Sequence, residues 1–66
     1  MNLSPKYLIK ILEHNGFVFL RAKGSHNLFI NEKTGKMVIV PVHGGKDMKK
    51  GTFLSILKQA DIVTNS

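Results

Sequence analysis

The sequence predicts an α+β fold of order α-β-β-β-α, a three-stranded antiparallel sheet with two helices on one face. Three observations lead there. Helical periodicity appears only near the two ends of the chain. Between them lie three runs rich in β-branched and aromatic residues, separated by glycine-containing turns. And 66 residues suffice for one thin core, so 1–66 reads as a single two-layer domain.

The first helix is written in "LSPKYLIKILEHNGF". Ser4 is the expected N-cap, and Pro5 fits the first helical position, where a missing N–H costs nothing. Leu3 and Leu8 occupy the two positions of a hydrophobic staple. Leu8, Ile11 and Leu12 form the apolar stripe with Tyr7 alongside, His14 complements the helix dipole, and Gly16 supplies the left-handed stop. Strand 1 follows over Phe17 to Ala22, strand 2 over His26 to Ile30 ("HNLFI"), and strand 3 over Met37 to Val42 ("MVIVPV"). Pro41 cannot donate to a ladder, so strand 3 is an edge strand or stops pairing there. The last helix is expected over "FLSILKQADI", with Phe53, Leu54, Ile56, Leu57 and Ala60 on its buried face. Asp47 and Thr52 are both candidates for its cap.

Loop lengths give a register. A two-residue turn at Gly24-Ser25 sets Lys23 opposite His26, and a loop over Glu32 to Gly35 sets Asn31 opposite Lys36. One face then carries Phe17, Phe19, Arg21, Lys23, His26, Leu28, Ile30, Met37, Ile39, Pro41 and His43. The other carries Val18, Leu20, Ala22, Phe29, Val38 and Val40. Two short helices cover one face only, so apolar residues remain on the other, the mark of a partner site. Arg21, Lys23, His26 and His43 gather at one end of one face.

Ten basic residues against four acidic ones leave a formal charge of +6. Such a field favours phosphate-bearing or acidic partners. The chain has no cysteine, no apolar run long enough to span a bilayer and no signal-peptide pattern, so the expectation is a cytoplasmic protein without a membrane role. The four carboxylates, Glu13, Glu32, Asp47 and Asp61, lie on different segments without ligand spacing. That argues against a metal nuclease, which needs clustered oxygen ligands. "HGGKDMKKGT" lacks the order of a Walker loop, and no cofactor is expected.

RNA cleavage needs no metal, because the 2′-hydroxyl can attack the neighbouring phosphate. The protein must move protons and neutralise charge on the phosphorane. Histidine suits the first task, since its ordinary pKa is about 6.5. Lysine, arginine and backbone N–H groups suit the second. His26, with Arg21, Lys23 and the Gly24-Ser25 amides near it in sequence, meets that requirement. Lys46, Lys49, Lys50 and the Gly44-Gly45 amides can hold flanking phosphates. The same residues also suit plainer roles, His26 as a solvated strand residue and the lysines as an ordinary exposed loop.

The segments "LIKILEHNGFVFLRAKGSHNLF" and "VIVPVHGGKDMKKGTFLSILKQADI" are similar, in order and spacing, to the HicA toxins, also called YcfA-like mRNA interferases. The shared elements are G-F-x-x-x-R-x-x-G-S-H, P-x-H and K-G-T-x-x-x-I-L-K-Q-A. The resemblance implies a double-stranded-RNA-binding-domain-like fold and endoribonuclease activity on single-stranded mRNA without a metal, inhibiting translation. It also implies a cognate HicB-type antitoxin that covers the active site. The family's catalytic histidine falls on His26 of Gly24-Ser25-His26. Arg21, Lys23, Ser25, His43, Lys46, Lys49 and Lys50 are then the expected RNA-binding residues. Water, His43 or a lysine is left as the second proton-transfer group. Gln59-Ala60-Asp61 stands where the family usually has Q-A-G, so a slightly frayed helix end is expected. Two other readings stay open at this point: a non-catalytic RNA-binding module of the same fold, and a basic adaptor for an acidic protein.

Overall fold

The computed structural model describes residues 1–63. It contains α1 (Pro5–His14), β1 (Phe17–Lys23), β2 (His26–Asn31), β3 (Met37–Pro41) and α2 (Lys50–Gln59), in the expected order. The sheet runs β1-β2-β3 and both pairings are antiparallel. Leu8 and Leu12 of α1 join Phe53, Ile56 and Leu57 of α2 in one buried cluster with Phe17, Phe29, Val38 and Val40. Both helices therefore pack on the same face. The shortest dimension of 16 Å leaves room for one sheet and one helical layer, so the second sheet face is open.

Local chemistry explains the start of the fold. The Ser4 hydroxyl accepts from the Tyr7 N–H at 3.1 Å, a cap worth about 1 kcal/mol. Gly16 then turns the chain at a φ of +89°, and a Cβ there would come 3.4 Å from the Asn31 Nδ2. The Tyr7 ring stacks on Phe53 with centroids 6.2 Å apart, joining the two helices.

Both hairpin registers are the expected ones. Lys23 faces His26, and the Asn31 N–H donates to the Lys36 carbonyl at 2.8 Å. The faces differ from expectation in the first half of β1. A bulge between Phe19 and Arg21 makes Leu20 an extra residue. Phe17 and Phe19 consequently lie on the helix-covered side with Phe29, and Val18 lies on the open side. Phe17 is buried in the core, and the Phe19 ring meets Phe29 edge-on at 5.8 Å. Arg21 and Lys23, beyond the bulge, stay on the open face with His26, Leu28, Ile30, Met37, Ile39 and Pro41. The bulge lets one strand bury its first phenylalanine and still turn its basic residues outward.

The element limits shift as well. β1 extends to Lys23 and β2 to Asn31, while β3 ends at Pro41. Helix α2 begins at Lys50, earlier than expected, and neither Asp47 nor Thr52 caps it. Lys49 is the N-cap, without a side-chain hydrogen bond. The cause lies just before it: Met48 is buried, and its N–H donates to the Leu3 carbonyl at 2.8 Å, which fixes where the helix can start. Leu54 is 38% exposed and stands apart from the buried face.

The end of α2 is closed and not frayed. Asp61 takes a φ of +62°. The Ile62 N–H donates to the Leu57 carbonyl at 3.0 Å and the Asp61 N–H to the Lys58 carbonyl at 3.1 Å, the paired bonds of a Schellman cap. Aspartate bears the left-handed backbone better than most residues, and Asp61 gains an ion pair to Lys36 Nζ at 2.9 Å.

Candidate nucleic-acid interface

The candidate site is built at the end of the sheet where β1 turns into β2. Gly24 adopts a φ of +59°, which glycine bears without strain and which lets the two-residue turn close. The half-buried Ser25 holds the turn to the next strand, its carbonyl accepting from the Val42 N–H at 2.7 Å. Lys23, His26 and Pro41 therefore form one row across the three strands, and Arg21, Leu28 and Ile39 form the next row on the same face. Arg21, Lys23 and His26 are all exposed. Among the described residues, none of these three side chains makes a hydrogen bond or ion pair within the chain.

The basic loop between β3 and α2 is anchored at both ends. Val42 ties it to Ser25, and Met48 ties it to Leu3 and the core. Within it Gly44 and Gly45 both have positive φ, at 51° and 83°, and the Lys46 N–H closes the turn on the His43 carbonyl at 2.9 Å. A cavity of about 770 Å³ is lined here by His43, Lys46, Lys49 and Pro41, together with Asp47 and Thr52. Two lysines and the glycine turn make this wall basic, with the Asp47 carboxylate the one acidic group among its lining residues. Lys49, the N-cap of α2, lines the same cavity and makes no side-chain cap hydrogen bond.

The structure thus brings the expected residues together in two adjoining groups. Arg21, Lys23, Ser25 and His26 lie at the sheet end. His43, Lys46 and Lys49 line the cavity. His43 lies beyond the end of β3, in the loop and not on the sheet face. Pro41 links the groups, as the register partner of His26 and a wall of the cavity. Lys50, exposed at the start of α2, neighbours Lys49 in sequence without lining the cavity. Asp47 and Thr52, which local pattern offers as helix caps, line this cavity instead. Their place in the cavity follows from the early start of α2, which the sequence pattern does not mark.

The family profile described as HicA toxin of bacterial toxin-antitoxin matches residues 5–62. The chain belongs to the HicA toxin family. The match spans every helix and strand, including the Gly24-Ser25-His26 turn and the basic loop. Membership in this toxin–antitoxin family implies a cognate antitoxin as partner. Among curated proteins, none matches the chain. Among the described residues, no helix is long and apolar enough to cross a membrane, and no three His, Asp or Glu side chains gather to hold a metal ion.

Proposed function

We propose that this HicA-family chain is a metal-independent endoribonuclease that cleaves single-stranded mRNA and so inhibits translation in the cytoplasm. The observation that carries the reading is the exposed His26, free of intrachain partners among the described residues, in one row with Lys23 and beside the row of Arg21. In this reaction the RNA 2′-hydroxyl attacks the adjacent phosphorus as its proton is removed. The 5′-oxygen leaves and takes up a proton. The products are a 2′,3′-cyclic phosphate and a 5′-hydroxyl end. His26 transfers one of these protons, and Arg21, Lys23 and the Ser25 region offset the charge that builds on phosphorus. Water, His43 or a lysine handles the other proton. His43, Lys46, Lys49 and Lys50 hold the flanking backbone, and the cognate antitoxin blocks access.

The test incubates the pure protein with single-stranded mRNA in excess EDTA, beside the His26→Ala variant. The reading predicts cyclic-phosphate products from the wild-type chain and a loss of about 100-fold or more in the variant. Undiminished cleavage by His26→Ala removes His26 from the mechanism. Cleavage abolished by EDTA removes the metal-free route. RNA that is bound but stays intact identifies a non-catalytic binding module of the same fold.

A further inference from the structure

The two edges of the sheet are treated differently. The β1 edge is interrupted by the bulge at Leu20 and carries Arg21 and Lys23, devices that stop an edge from pairing with another chain. The β3 edge has neither a bulge nor a charge within Met37–Pro41, and Pro41 limits it only at its end. Hydrogen bonds from Asn31 to Lys36 and from Val42 to Ser25 show which β3 residues face β2. By antiparallel alternation these are 36, 38, 40 and 42, so the N–H groups of Met37 and Ile39 and the carbonyls of Met37, Ile39 and Pro41 point outward, unpaired in the sheet.

Beside this edge runs a groove of about 510 Å³ between β3 and α2. Met37, Ile39 and Pro41 form one wall, and Gly51, Thr52 and Ser55 form much of the other. The helix thus presents small residues where a neighbouring backbone needs room. The five residues of β3 span about 16 Å, enough for an added strand of similar length. Met37 and Ile39 are each 49% exposed, so the groove offers apolar surface beside an unused hydrogen-bonding ladder. At Pro41 the groove meets the cavity lined by Lys46 and Lys49.

We propose that the antitoxin docks here by adding an extended segment to the β3 edge, between β3 and α2, with acidic residues at the end that passes Pro41. Charge selects this occupant. A second copy of the chain brings +6 against +6, whereas an acidic segment meets Lys46 and Lys49. RNA lacks the peptide N–H and C=O spacing that the edge requires. The proposal rests on family membership and not on the catalytic reading, and its readouts are binding measurements. It also narrows the antitoxin surface from the whole open face to the rim along β3.

The test measures backbone amide hydrogen exchange by NMR on the labelled chain, alone and bound to the cognate antitoxin from the neighbouring reading frame. The amides of Met37 and Ile39 are expected to slow by about 100-fold or more in the complex. A complex that forms while both amides keep their free-chain rates overturns the proposal. So does slow exchange at both in the isolated chain together with a dimeric mass by light scattering, which assigns the edge to a second copy. Two exposed positions give a second readout with the same neutral side chain. Ser55→Gln fills the groove and is expected to weaken antitoxin binding by about tenfold, whereas Val18→Gln on the distal open face leaves it within about twofold. The reverse pattern assigns docking to the sheet face and contradicts the edge.

Discussion

At the end of the sheet where β2 turns into β3, the Asn31 side chain is engaged on both sides. Its Oδ1 accepts from the Lys33 and Thr34 N–H groups at 3.0 and 3.3 Å, and its Nδ2 donates to the Asn15 carbonyl at 3.2 Å. Lys36 closes the same end through its ion pair with Asp61. At the opposite end, where β1 turns into β2, the side chains of Arg21, Lys23 and His26 are exposed and engage nothing else among the described residues. Among the described residues, backbone closes that end, through the Val42–Ser25 bond. One end places its polar side chains in the service of the fold. The other builds its turn from glycine and backbone bonds and leaves the side chains of Arg21, Lys23 and His26 exposed. Substitutions at the first end should therefore change stability, and substitutions at the second should change RNA handling.

The largest stability effect is expected at Asn31. Asn31→Ala removes an acceptor shared by two turn amides and the link to α1, at about 1–3 kcal/mol. In a domain of this size each kcal/mol lowers Tm by about 4–8 °C, which calorimetry resolves. A Tm within error of the wild type removes the structural role assigned to this end.

Lys46→Ala with Lys49→Ala should leave Tm unchanged and weaken binding to single-stranded RNA. The slope of log affinity against log salt should flatten by about 1.4, or about 0.7 for each lysine that neutralises a phosphate. An unchanged slope places the RNA backbone elsewhere.

The smallest effect is expected at Asp61. Glycine removes the cost of the left-handed backbone but also the exposed ion pair with Lys36, each worth about 1 kcal/mol or less. These terms nearly cancel, and glycine also loosens the unfolded chain, so Asp61→Gly should change stability by no more than about 0.5 kcal/mol in denaturant titration. A clear loss of stability shows that the ion pair outweighs the backbone strain.

Much of this contrast is readable from the residues alone. Gly24-Ser25 and the loop before Lys36 set both registers, and these place His26, Lys23 and Arg21 on one face. Ser4 and Pro5 mark the start of α1 for the same local reason. The bulge at Leu20 is not readable, because Phe17, Val18, Phe19 and Leu20 are all apolar and carry no alternation to reveal the extra residue. The role of Asn31 is hidden too, since an asparagine beside a turn looks like any polar loop residue until Asn15 is brought against it. The basic cavity depends on the start of α2. That start is set by the burial of Met48 against the core and by its bond to Leu3, a tertiary effect that overrides the local cap signals.

The most direct test of the two-ended account measures RNA cleavage and Tm together on His26→Ala and Asn31→Ala, with cleavage assayed well below either Tm. The account predicts that His26→Ala loses cleavage by about 100-fold or more at an unchanged Tm, whereas Asn31→Ala loses several degrees of Tm and cleaves at close to the wild-type rate. Wild-type cleavage by His26→Ala, or a fall in its Tm as large as that of Asn31→Ala, contradicts it.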